Sequence, residues 1–291
     1  MLRLTILVIA GCLAMLPLLA AAFWDEMLHR VERLPAWKQV TLPVLLAVPY
    51  VMVSTAYGIF QVRWLCEYAL LPVVVAALMF RARRRDPEQR GTWLDAAVLL
   101  VLGLVVDLHW MQPAWPAQVT AFNKVLLLDA GIYGFMAVRR LSGIGLNMRL
   151  RLSDLLVGLR EYAIYAAIAA PFGLVLGFLH FHVAWPGAWK ALGLVVFTYC
   201  FIAIPEELFF RGWIQNLLER RMGRTWSLVT TAVLFGLSHF NKLTTGFNWR
   251  YVLMATMAGV FYGRAWRQQR RVGASAITHA AVDTTWSLLL F

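Results

Sequence analysis

Ile204-Pro205-Glu206-Glu207-Leu208-Phe209-Phe210-Arg211-Gly212-Trp213 sets two adjacent carboxylates and an arginine at the end of a run, Leu192 to Ile204, that is otherwise nearly all apolar. A charged side chain at mid-bilayer depth costs at least ~2.5–3.5 kcal/mol, so such groups face a protein interior or a wet cavity. Two carboxylates side by side with a cation one turn later have two readings. One is a buried ion pair that fixes helix packing. The other is a catalytic carboxylate.

Composition puts the stretch in a membrane. The 291 residues are 61% hydrophobic and 14% charged, with a mean hydropathy of +0.66; a soluble domain holds about 25% charged residues. The net charge of +12 is concentrated at Arg81–Arg90, Arg139–Arg160, Arg220–Arg224 and Arg264–Arg271, between apolar runs. That is the positive-inside pattern, which places these loops in the cytoplasm and the chain in a lipid bilayer, and it argues against nucleic acid as a partner. Cys12, Cys66 and Cys200 lie in apolar runs without metal-type spacing, which argues against a disulfide framework or a cysteine zinc site.

A span takes about 20 mostly apolar residues. On that ruler Leu2–Phe23, Thr41–Phe60, Trp64–Phe80, Thr92–Trp110, Ala121–Val138, Tyr162–Phe181, Leu192–Leu218, Trp226–His239, Trp249–Trp266 and Ala274–Phe291 are candidates. The expected fold is therefore all-α, a polytopic transmembrane helix bundle of about ten helices. Residues 1–145 form an N-terminal transmembrane region without a recognised motif, and residues 150–291 hold the polar clusters. Arg139–Arg160 is the longest polar connection. The first segment resembles a signal peptide, but Arg30, Arg33 and Lys38 follow it while only Arg3 precedes it, so a retained helix with an outside N-terminus is expected. Gly173/Gly177 and Gly259/Gly263 have the spacing of close helix approach. Trp93, Trp110, Trp185, Trp226, Trp249 and Trp266 read as an interfacial belt, and His109, His180 and His182 as headgroup-level polar groups rather than metal ligands.

Polar residues recur inside the later spans. Glu206, Glu207 and Arg211 form one cluster; Phe235 and His239 a second; Ser275, His279 and Asp283 a third. Glu207 and Arg211 are i, i+4 and share a helix face, while Glu206 points about 100° away. The pairs Phe235/His239 and His279/Asp283 have the same spacing. Pro205 lacks a backbone donor and is expected to bend the helix just before the carboxylates. At 1.5 Å per residue, Glu206, His239, His279 and Asp283 lie about 21, 22, 12 and 18 Å from the nearest basic loops. They converge on a middle layer, which argues for one site. A carboxylate and a histidine holding one water supply a general base with an orienting partner, and a second histidine can donate to an oxyanion. The same Glu206, His239 and His279 could instead hold Zn2+ with an open water position, one ligand from each helix. No serine or cysteine nucleophile stands out: Ser238 adjoins His239, but adjacent helical residues do not face each other.

Glu206-Glu207-x-x-x-Arg211, Phe235-x-x-x-His239 and His279-x-x-x-Asp283, in this order on successive apolar segments, resemble the motifs of the CAAX protease and bacteriocin-processing (CPBP, or Abi) family, which contains the Ras-converting type of prenyl endopeptidase. The resemblance covers about Ser153 to Phe291. It implies an intramembrane endopeptidase, of glutamic or metallo type, acting on a membrane-associated or lipid-tethered peptide or protein. By the same resemblance Glu206 and His239 activate water, His279 and Asp283 stabilise the oxyanion, and Glu207, Arg211 and Phe235 are structural or substrate-orienting. The metal-free version is favoured, since one carboxylate and one histidine suffice to hold a water. The family often has asparagine at the position of Asp283; an ionised aspartate would repel an oxyanion, so Asp283 either carries a proton or orients His279.

The arginine-rich loops suit a bacterial inner membrane, where a leader peptide, a bacteriocin or a C-terminal sorting tail is a more natural substrate than a prenylated one. The alternatives are a non-proteolytic scaffold or bacteriocin-immunity protein and, behind it, a proton-coupled transporter.

Overall fold

In lipid a chain must satisfy its own backbone hydrogen bonds, and helix is the direct way to do so. The computed structural model is 80% helix, with no strand among the residues it describes, which are 1–23, 25–181, 185–243 and 246–289. His182 and the last two residues of the expected final span, Leu290 and Phe291, lie outside them.

The chain divides into two compact units, Met1–Ser142 and Gly143–Phe291. The first unit holds α1 (Leu2–Phe23), α2 (Ala36–Tyr57), α3 (Val62–Arg85), α4 (Trp93–Asp107) and α5 (Ala121–Val138), with a two-turn helix, Asp25–Val31, after α1. The second holds α6 (Leu152–Val175), α7 (Ala188–Leu237), α8 (Trp249–Gln269) and α9 (Val272–Leu289). Among the described residues, α1, α2, α3, α5, α6 and α7 are long and apolar enough to cross a membrane.

Among the described residues the longer helices number nine, not about ten. Leu192–Leu218 and Trp226–His239 were expected as separate spans, but they are the two parts of the 50-residue α7, broken at Gly223, where φ 75° and ψ 177° leave the helical region. Beside that break Glu219 pairs with Arg224 (3.4 Å) and with Arg270 (3.0 Å).

The polar connection before α6 is likewise shorter than Arg139–Arg160. α6 starts at Leu152, with the Arg151 N–H donating to Asp154 at 2.9 Å. Asp154 is fully buried and takes the Arg271 Nε on both oxygens, at 2.8 and 2.9 Å. One face further along, buried Glu161 holds Arg264 (3.0 Å) and Gln268 (2.8 Å). Polar residues that read as a loop are the neutralised inner face of a helix.

In the first unit a comparable device anchors α4. Thr92 and Asp95 form a capping box, and Asp95 accepts from the buried Arg139 at 2.9 Å. Near the other end of α3, Tyr68 donates to Asn123 at 2.7 Å and accepts from the Trp115 indole at 2.6 Å.

In the second unit α8 packs closely on the latter half of α7. A methyl at Gly259 would stand 3.0 Å from the Ala232 Cα, and one at Gly236 would stand 2.0 Å from the Thr256 Oγ1. Of the expected glycine pairs, Gly259/Gly263 therefore packs helix on helix, whereas Gly177 lies beyond α6 at φ 60°, with open space where a Cβ would be. Trp266 corrects the expected interfacial belt. It is fully buried and donates to the Ile144 carbonyl at 3.0 Å, while Trp93, Trp110, Trp185, Trp226 and Trp249 are exposed as that belt requires. Tyr165, Phe210, Phe235, Ala258, Phe261 and Tyr262 form the core against which the polar clusters sit.

Candidate active site

The turn that carries the carboxylates is wound unusually. Proline gives no backbone hydrogen bond, and around Pro205 the helix is wound wide. The α-turn Ile204–Glu207 is flanked by π-helical turns at Tyr199–Ala203 and Leu208–Gln215. Such turns are rare and concentrate at functional sites.

Glu207 and Arg211 pair as their spacing predicts. Both are fully buried, with the Arg211 Nη1 donating to the Glu207 Oε1 at 2.9 Å. Arg211 also donates to the Gly259 carbonyl at 3.0 Å and lies over the rings of Phe235 (4.7 Å) and Tyr262 (5.2 Å). The ion pair is not all that Glu207 does. Its Oε1 also meets the His279 Nδ1 at 2.8 Å. An ionised carboxylate only accepts, so the imidazole donates there, and Nε2 is the nitrogen left for other chemistry.

His279 Nε2 faces both remaining carboxylates, 3.5 Å from the Asp283 Oδ2 and 3.8 Å from the Glu206 Oε2. The side chains of Glu206 and Asp283 are 33% and 34% exposed against 3% for His279, but the Glu206 oxygen nearest the imidazole, Oε2, is itself buried. The Glu206 Oε2 has no protein hydrogen-bond partner. Ser275 stands apart, its hydroxyl donating to the Val272 carbonyl at 3.0 Å.

His239 is held differently. α7 ends at Leu237, so His239 lies in the turn beyond it rather than on the helix. Leaving the helix brings Ser238 and His239 together after all, against the expectation from helical phase, with the Ser238 Oγ 3.2 Å from Nδ1. The serine is not thereby a nucleophile, because its hydroxyl donates to the Phe235 carbonyl at 2.8 Å. That carbonyl also lies 2.8 Å from the His239 Nδ1. A carbonyl can only accept, so Nδ1 carries a proton, and in the neutral ring Nε2 keeps its lone pair.

Phe235 stands between the histidines, its ring centroid 4.8 Å from His239 and 5.6 Å from His279. His239 and His279, with Asp283, line one cavity of about 70 Å3, walled otherwise by aromatic and small apolar residues, among them Tyr162, Phe178, Trp286, Ala166, Ala169, Ala170, Ala255 and Ala258. The three motifs therefore meet. Glu206 stands at the His279 edge of this group rather than in the wall of the cavity.

Two residues went unnoticed in the sequence. Tyr251 stacks on His239 at 5.2 Å and 23°, and Tyr262 on His279 at 4.6 Å and 14°. Both lie on α8, which carries no motif; their separation of eleven residues, three helical turns on one face, was the available signal.

With Nδ1 of each histidine engaged, both keep Nε2 for a water or another ligand. Among the described residues no three His, Cys, Asp or Glu side chains are grouped as a metal site. What the geometry can do is hold water against a carboxylate beside two oriented imidazoles.

No curated protein and no solved structure matches the chain. Residues 187–285, a segment that contains every motif residue, match the family model Type II CAAX prenyl endopeptidase Rce1-like, and it is to that family that this part of the chain is similar.

Proposed function

We propose that the second unit is a metal-free intramembrane endopeptidase that hydrolyses a peptide bond in a membrane-associated peptide or protein, within a multi-pass protein of a bacterial inner membrane whose basic loops face the cytoplasm. The observation that carries the reading is the orientation of His279: Glu207 takes its Nδ1, and its Nε2 is turned toward Glu206 and Asp283 beside the cavity shared with His239.

In this reading a water donates a hydrogen bond to the His239 Nε2 and transfers its other proton to Glu206 as general base. The resulting hydroxide attacks the carbonyl carbon. A His279 with protons on both nitrogens donates Nδ1–H to Glu207 and Nε2–H to the oxyanion. Collapse of the tetrahedral intermediate expels the amine, which takes the proton held on Glu206. Asp283 orients His279 from the far side. Arg211 fixes Glu207 and has no direct part in the reaction.

The test compares membrane peptides from cells making the wild-type chain with those from cells making Glu206→Gln. A peptide that accumulates uncleaved identifies the substrate. Cleavage of that peptide by purified protein should be lost in Glu206→Gln and retained in strong chelator. Unchanged processing in Glu206→Gln would sink the reading, and loss of activity on chelation would sink its metal-free form.

A further inference from the structure

His239 is the one motif residue here that a helix does not hold, so something else must aim it. We propose that Tyr251 is the positioning residue of His239 and that Asn248 seats it. This rests on the endopeptidase reading for its kinetic consequence, but not for its geometry.

The contacts form a closed set. Asn248 caps α8: its Oδ1 accepts from the Tyr251 N–H at 3.1 Å. Its own N–H donates to the Phe240 carbonyl at 2.7 Å, and its Nδ2 donates to the Lys242 carbonyl at 3.0 Å. One side chain and its peptide thus tie the turn that follows His239 to the first turn of the next helix. Tyr251 rises from that turn and lays its ring on the imidazole. Its ring is held in turn by Phe178 at 5.6 Å and by Trp286 at 5.1 Å.

The lone pair on Nε2 lies in the plane of the imidazole. The bond from Nδ1 to the Phe235 carbonyl fixes one point of the ring, and the Phe235 ring, tilted 50° at 4.8 Å, meets it without lying flat on it. Tyr251, 5.2 Å away at 23°, supplies the near-parallel face that sets the ring plane. Tyr251 therefore decides where the water-holding nitrogen points, through ring packing and without its hydroxyl.

Tyr251→Phe keeps the flat face and should keep the wild-type kcat. Tyr251→Leu keeps apolar bulk but loses the face, and should lower kcat about 10- to 100-fold with little change in KM, as expected of a misaimed catalytic group. Asn248→Ala should act in the same direction through the seat alone, and serves if Tyr251→Leu does not fold. Nitrogen-15 NMR of histidine-labelled full-length protein in nanodiscs gives a readout that needs no substrate. His239 should be a single Nδ1–H tautomer in wild type and Tyr251→Phe, and a mixture in Tyr251→Leu and Asn248→Ala. A single tautomer with unchanged kcat in folded Leu and Ala variants would overturn the proposal. So would a Phe variant as slow as Leu, which would assign the chemistry to the hydroxyl. If the endopeptidase reading is itself wrong, Glu206→Gln leaves processing intact while the tautomer measurement still decides whether Tyr251 holds His239.

Discussion

Replacing Glu207 by alanine should cost far more stability than replacing its neighbour Glu206, although the two are the same residue one position apart. Glu207 is fully buried and its Oε1 accepts from both Arg211 (2.9 Å) and His279 (2.8 Å). Removing it leaves the fully buried Arg211 with one carbonyl and three aromatic faces but no ion-paired carboxylate. Breaking a buried pair from one side costs about 3–5 kcal/mol, which is a factor of roughly 10² to several 10³ in the folding equilibrium. Glu206 is one-third exposed and its nearer oxygen has no protein partner, so Glu206→Ala should stay within about 1 kcal/mol of wild type, as substitutions away from a buried network do. Reversible unfolding in mixed micelles, read by the signal of buried tryptophans such as Trp213 and Trp266, measures both. The expected result is a large loss for Glu207→Ala and a near-wild-type curve for Glu206→Ala, with turnover lost in the latter. Equal stability losses in the two variants would refute the division of labour drawn from burial.

Asp283→Asn keeps an acceptor beside the His279 Nε2, adds an amide donor and removes a charge that an oxyanion would meet, so turnover should hold or rise; a large fall in the folded variant would show that the carboxylate itself is needed. Gly236→Ala should destabilise by about 1–3 kcal/mol as an overpacking change, because its methyl would meet the Thr256 Oγ1 at 2.0 Å and the Val252 carbonyl at 2.5 Å; an unchanged unfolding curve would show that α7 and α8 separate freely. In the first unit burial would by itself raise the Asp86 carboxyl, but the N–H groups of Arg90 and Gly91 and the Arg139 guanidinium hold it below the usual carboxylate range. A carboxylate depressed in the folded state stabilises above its unfolded value, about 3.9, and loses that contribution as pH falls through the lower folded value. Stability should therefore drop on acidification below about pH 4, more gently in Asp86→Asn, and parallel acid limbs for the two proteins would contradict the linkage.

The parts of the site legible in the sequence are those that one helix contains. Glu207 with Arg211, and His279 with Asp283, are neighbours by helical phase alone, and the apolar runs marked where the helices lie. What was missed lies between helices or where a helix stops. The bond from His279 to Glu207 spans 72 residues, so no local pattern announces it, and Glu207 looked like half of an ion pair when it is shared by a cation and an imidazole. Ser238 reached His239 because the helix ended two residues earlier than its apolar run suggested. The extra expected span and the long polar connection share one cause. Charge was read as loop, when Glu219, Asp154 and Glu161 pair with Arg270, Arg271 and Arg264, which come from α8 and the turn that follows it.

The alanines along the cavity wall have an evolutionary consequence. Ala166, Ala169, Ala170, Ala255 and Ala258 line the cavity with single methyl groups, and none of them is one of the polar residues of the site. Added volume at any of them takes room from an occupant without changing the chemical groups themselves. The lineage can therefore change what it admits by drift at a handful of silent-looking positions, and the chemistry and the diet of such a protein are free to diverge at different rates.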